Sequence, residues 1–159
     1  MKIEQSIKET AQKKLIEYLA KSERTVFDCR NLLKKHDVPQ DVVDALINEA
    51  VQNKWLSDER YARLFTEDSI YNAYSPADVK YRLSKKRIDP EIINITVEKI
   101  YDKDTLKKIL NETINKLIKI NREITPQKRF EKIATTLYRK GFEYSEYEHI
   151  LKVKLGLKD

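Results

Sequence analysis

The sequence predicts an all-α fold, a curved array of three tandem three-helix repeats. Three observations predict it. Among 159 residues there are only two glycines and four prolines, too few turn formers for a many-stranded sheet. Apolar residues recur at helical spacing on a background that is 40% apolar and 36% charged. One stretch is also written twice: Thr25 to Val43 reads TVFDCRNLLKKHDVPQDVV, and Ser75 to Ile93 reads SPADVKYRLSKKRIDPEII. The copies share Asp28/Asp78, Leu33/Leu83 and Lys35/Lys85, and match in kind at Thr25/Ser75, Arg30/Lys80, Val38/Ile88, Asp41/Glu91, Val42/Ile92 and Val43/Ile93. Agreement in cap, apolar register and break position specifies one helix-pair geometry twice.

Taken in order, the first helix is expected from about Thr10 to Lys21, with Ala11, Leu15, Tyr18 and Leu19 on one stripe. Thr25 and Asp28 form a capping-box-like pair that starts the second, whose stripe is Val26, Cys29, Leu32 and Leu33. HDVP breaks it before Pro39, and the third carries Val42, Val43, Leu46, Ile47 and Ala50. Ser57 caps the fourth, with Asp58 and Glu59 in its first turn and Leu56 and Tyr61 at hydrophobic-staple spacing. Ala62, Phe65 and Ser69 continue its inward face. Ser75-Pro76 starts the fifth, which ends near Arg87, and Pro90 starts the sixth.

The seventh is expected from about Lys103 to Asn121, with Leu106, Ile109, Leu110, Ile114 and Leu117 inward. Thr125-Pro126 opens the eighth, carrying Phe130, Ile133, Ala134 and Leu137 and closed by Gly141 in a left-handed conformation. The ninth bears Tyr147, Ile150, Leu151 and Leu155. The units read as 1–56, 57–102 and 103–159, each too small for a core of its own, so neighbours are expected to stack.

No apolar run approaches the ~20 residues that span a bilayer, and MKIEQSIKET lacks a signal-peptide core. The single cysteine, Cys29, has no internal disulfide partner, so a reducing, cytoplasmic location is expected. The net charge is +6, and the excess sits in residues 105–159, which suits work near nucleic acid or an acidic partner.

Catalysis is not expected. His36 and His149 lie in different units with no metal-ligand spacing to Cys29, which sits on an apolar stripe as a small core residue. There is no glycine-rich phosphate loop, and neither metal nor cofactor is expected. Trp55, Phe65, Phe130 and Phe142 read as core, and Tyr71, Tyr74, Tyr81 and Tyr138 less clearly so.

Three segments carry a family resemblance. WLSDERYARLF matches a Leu-Asp-Asp-x-x-Phe-Ala pattern at Leu56, Asp58, Tyr61 and Ala62. DVKYRLSKKRIDPEII matches Glu-Leu-x-x-Lys-Gly-Ile at Leu83, Lys86, Ile88 and Ile92, with Arg82 and Arg87 replacing the glutamate and glycine. KRFEKIATTLYRKGFEYSEY carries a third signature at Lys132, Ile133, Leu137, Arg139, Gly141 and Phe142. In order and separation these resemble the RecX family of recombination regulators. The missing glycine in the second copy, and Asp37 in the first, predict local differences at those helix ends, since left-handed non-glycine residues cost roughly 1 kcal/mol.

The resemblance implies a curved array of three-helix repeats that binds the RecA recombinase, docks in the groove of its filament on single-stranded DNA, and restrains strand exchange and co-protease activity. It implies a role in DNA recombination, repair and the SOS response; a monomer is expected. Candidate binding residues are the basic clusters on or at the end of the middle helix of each unit. They are Arg82, Lys85, Lys86, Lys128, Arg129, Lys132, Arg139 and Lys140, with Lys34 and Lys35 in the first copy. Stacking would bring them into one stripe able to track phosphates or meet an acidic groove. The rival reading is a helix-turn-helix protein on duplex DNA with SKKRIDPEII as its turn, but the following PEIINITVEKI is acidic and apolar where a recognition helix needs groove-facing Arg, Asn or Gln.

Overall fold

The computed structural model describes residues 1–122 and 125–159. Among the described residues there are nine α-helices and no strand: α1 (Lys2–Lys21), α2 (Val26–Lys35), α3 (Gln40–Gln52), α4 (Asp58–Tyr71), α5 (Pro76–Lys85), α6 (Pro90–Ile100), α7 (Lys103–Ile120), α8 (Pro126–Arg139) and α9 (Tyr144–Leu155).

The middle helices α2, α5 and α8 start where the caps predict. Thr25 accepts the Asp28 amide at 3.1 Å while Asp28 accepts the Thr25 amide at 3.2 Å, completing a capping box. Ser75 accepts the Asp78 amide at 3.0 Å and Thr125 the Lys128 amide at 3.4 Å.

Their ends share one backbone conformation but not one bonding pattern, so the expected local difference appears at the second copy. Asp37, Arg87 and Gly141 all take the left-handed conformation, with φ of 56°, 54° and 90°. In the first and third copies the turn returns Val38 N–H to the Leu33 carbonyl and Phe142 N–H to the Leu137 carbonyl, both at 3.1 Å; in the second, Leu83 and Ser84 accept only from Lys86 and Arg87 N–H, both at 3.0 Å. Satisfying those terminal carbonyls offsets the cost of the strained residue.

Helix α8 is one turn longer than α2 or α5, at 14 residues against 10. Counted from the cap, Ile133 matches Leu33 and Leu83; counted from the left-handed residue, Leu137 does. All four are buried. Inserting four residues rotates a helix by about one turn, so both keep the inward face.

Buried hydrophobics form two clusters. Ala11, Leu15, Cys29, Leu33, Val43, Leu46, Ile47, Ala50 and Leu56 make the first. The second runs from Ala62 to Leu155 and includes Leu83, Ile88, Val97, Ile114, Leu137 and Phe142. The expected sharing of a core between neighbours therefore holds for the last two helical groups, whereas the first has a core of its own.

Three further expectations are corrected. Helix α1 begins at Lys2, eight residues early, because helix-forming Lys, Glu, Gln and Ile extend it in solvent ahead of its first buried residue, Ala11. Leu56 and Tyr61 do not pack as one staple: Leu56 joins the first cluster and Tyr61 the second. Trp55 is 44% exposed, outside either core, beside the left-handed Lys54.

Candidate partner-binding surface

Arg82, Lys85 and Lys86 meet in one groove with Tyr61, Phe65 and Tyr81, about 410 Å³ in volume, between α4 and α5. Each cation there has a neighbour. Arg82 Nε lies 3.0 Å from Asp78 Oδ2 with its guanidinium 4.2 Å from the Tyr74 ring centre, and Lys85 Nζ lies 4.5 Å from that of Tyr81. Lys86 Nζ lies 2.8 Å from Asp28 Oδ1 on α2.

In the third group the basic side chains part. Lys128, Lys132 and Arg139 are exposed. At about 100° per residue, offsets of four and eleven positions put them within roughly 40° of one another, spread over ~16 Å of α8. Arg129 points elsewhere, its Nε donating to the Asn121 carbonyl at the end of α7. Lys140 is the half-buried C-cap of α8. The eight residues thus form a basic groove on α5, an exposed basic face on α8, and two positions with structural tasks, Arg129 and Lys140.

One local feature sets α8 apart. Every other helix carries Asp or Glu in its first turn, whereas α8 carries Lys128 there and no acid. A cation near a helix N-terminus opposes the dipole, and in α8 no acid offsets Lys128.

Sequence reasoning placed Asp58 only in the first turn of α4 and missed its bond to the start of α2. Asp58 Oδ1 accepts the Val26 amide at 2.9 Å. The signal was available: Pro76 and Pro126 fill the corresponding first positions of α5 and α8 and have no N–H, so only the first copy needs an acceptor there. Burial raises the pKa of Asp58, with the Val26 amide opposing and nearby Asp28 adding to the rise. Burial also pushes Asp28 upward, but hydrogen bonds from Lys86 and from the Thr25 amide and hydroxyl outweigh it and hold the carboxyl below its ordinary value. The same bond raises the pKa of Lys86.

Burial pushes the Cys29 thiol up to about 12, which keeps it protonated and inert. Among the described residues, no group of three or more His, Cys, Asp or Glu is placed to hold a metal ion, and no helix is long and apolar enough to cross a membrane. His36 and His149 are both exposed. In the helix-turn-helix reading α6 would enter the groove, yet its exposed positions are Pro90, Glu91, Asn94, Ile95, Glu98 and Lys99, with no arginine or glutamine among them.

Fold and surface together define a tandem helical-repeat protein with cations displayed from its middle helices. Known proteins narrow that class. The chain is 27% identical over 139 residues to the regulatory protein RecX of Streptococcus sanguinis (strain SK36), covering 84% of this chain and 52% of that one. It is 30% identical over 131 residues to that of Lactococcus lactis subsp. lactis (strain IL1403), covering 80% and 48%. The crystal structure of RecX from Lactobacillus salivarius superimposes with a TM-score of 0.84 at 21% identity, over 95% of this chain and 97% of that one. The chain belongs to the RecX family. It spans about half the length of the curated relatives it matches. No protein-family model matches it.

Proposed function

We propose that this protein is a non-catalytic regulator that binds a RecA recombinase filament on single-stranded DNA and restrains its activity. The partner comes from the family resemblance. The observation that carries the surface assignment is the placement of Lys128 in the first turn of α8, in line with Lys132 and Arg139. A phosphate backbone or an acidic filament groove would supply the negative charge that this first turn lacks. The groove holding Arg82, Lys85 and Lys86 extends the basic surface on α5 and adds the exposed ring of Tyr81. On this reading the protein acts as a monomer in the cytoplasm, in DNA recombination and repair.

The test is direct. Substoichiometric amounts of the protein are added to a RecA filament, and strand exchange and ATP turnover are followed. Slowing of both is the expected result; no effect at equimolar protein overturns the proposal.

A further inference from the structure

The two separate cores raise the question of what joins them. Past the single chain connection, the junction is polar. Val26 N–H donates to Asp58, Asp28 pairs with Lys86, and Arg60 Nε lies 2.8 Å from Glu23 Oε1. Arg87 stands 5.1 Å from the Phe27 ring centre. Arg60 also donates to the carbonyls of Lys54 and Trp55. A cleft lined by Val26, Val51, Leu56, Asp58, Arg60 and Ile92 opens at the same boundary, so apolar side chains approach there without closing into a core. The next boundary is built differently. Its hydrophobics are continuous, and Gly141 approaches α5 so closely that a Cβ would stand 2.5 Å from Ser75 Oγ.

We infer that residues 1–56 form a rigid arm that swings about the segment 53–57, with the Asp28–Lys86 pair as the clasp that holds it closed. Polar junctions separate at far lower cost than shared cores, because water replaces the lost partners. Opening leaves both hydrophobic clusters intact. It changes the distance between Lys34 and Lys35 on the arm and the basic groove on α5, so the clasp sets how far the basic surface extends. This inference stands apart from the identity of the partner.

The full chain can be tested with spin-label pairs, because buried Cys29 leaves introduced thiols as the reactive ones. One pair, Asn48→Cys and Asn94→Cys, spans the polar junction; the control, Asn94→Cys and Glu112→Cys, spans the continuous core. All three positions are exposed. Lys86→Met leaves the Thr25–Asp28 box in place and should raise a longer-distance population several-fold for the first pair alone. About 1 M salt, where the Debye length falls to ~3 Å, should act the same way, and Lys86→Arg should restore the closed distance. Identical first-pair distributions in wild type, Lys86→Met and high salt overturn the inference. So does lengthening accompanied by a loss of helical circular dichroism, which would mean the arm unfolds instead of swinging.

Discussion

Nζ of Lys86, the C-cap residue of α5, lies 2.8 Å from Oδ1 of Asp28 in the first turn of α2. The end of one middle helix thereby faces the start of the one before it. The pattern recurs one unit on, where Gly141 after α8 abuts Ser75 and Asp78 at the start of α5. Middle helices stand end to start, so the negative end of one dipole meets the positive end of the next. The identity of Asp28 and Asp78 in the two written copies has this physical basis: both occupy the helix start on which the next unit lands. There the copies diverge, since Asp78 is taken by Arg82 of its own helix, 3.0 Å away.

The pair predicts a pH dependence. The folded pKa of Asp28 lies below its unfolded value, so its contribution is present above about pH 4 and is lost as pH falls through the folded value. Lys86 is raised, so its contribution is complete below its ordinary value near 10.5 and is lost above it. Lys86→Met should cost roughly 1–3 kcal/mol at neutral pH, because Asp28, with its side chain only 13% exposed, loses its charged partner. Urea unfolding of the mutant should weaken less between pH 5 and 3 than that of wild type. An equal acid-side loss would show that the pair does not control Asp28.

Asp58 should behave in the opposite sense. Its folded pKa is raised, so its ionisation lowers stability as pH climbs from the unfolded to the folded value. Asp58→Asn keeps an acceptor for the Val26 amide and removes the half-buried charge; its stability should stay within about 0.5 kcal/mol of wild type at pH 7. Asp58→Ala orphans that amide and should cost about 1 kcal/mol. Val26→Pro removes the donor, as Pro76 and Pro126 do in the other copies, and should recover most of the alanine loss. Failure of that rescue in thermal melts would mean that Asp58 acts through something other than the amide.

At Gly141 the expected response is steric. A Cβ would stand 2.5 Å from Ser75 Oγ, itself the cap of α5, and φ is +90°. Gly141→Ala should cost roughly 2–4 kcal/mol, adding overpacking to left-handed strain. Asp37→Gly, at an exposed position with φ 56°, should be neutral or gain up to ~1 kcal/mol. A mild Gly141→Ala would show that the second junction is looser than its geometry.

Most of the fold was legible because caps and apolar spacing are local signals. Thr25, Ser75, Thr125 and Gly141 mark helix limits by chemistry that needs no tertiary partner. What sequence hid is contact between distant segments. Nothing in the spacing of Leu56 and Tyr61 says that the two residues serve different cores, and nothing around Trp55 says that the chain turns it outward. Arg87 takes a left-handed conformation, and its side chain lies over Phe27 of α2, a contact that no local signal announces. The basic clusters were visible as composition. Their division into held cations, such as Arg129 and Lys86, and displayed ones, such as Lys128 and Lys132, needed coordinates.

The α8 face allows binding and folding to be separated. Lys128→Glu places an acid in the first turn of a helix that has none, which should stabilise α8 by about 0.3–1 kcal/mol through the dipole. Lys132→Glu and Arg139→Glu are exposed changes expected to move stability by no more than ~0.5 kcal/mol each. The triple mutant should therefore melt no earlier than wild type. If these residues meet phosphates, its affinity for single-stranded DNA or for the DNA-bound filament should fall, and its log-log salt slope should be shallower by about 2, at ~0.7 per lost contact. Arg129→Ala should do the reverse. It breaks the bond to the Asn121 carbonyl, so it should lower the melting temperature while leaving the salt slope nearly unchanged. Unaltered binding by the triple mutant, with an unaltered salt slope, would make this face solvated surface and leave the α5 groove, with Tyr81 and Lys85, to carry the partner.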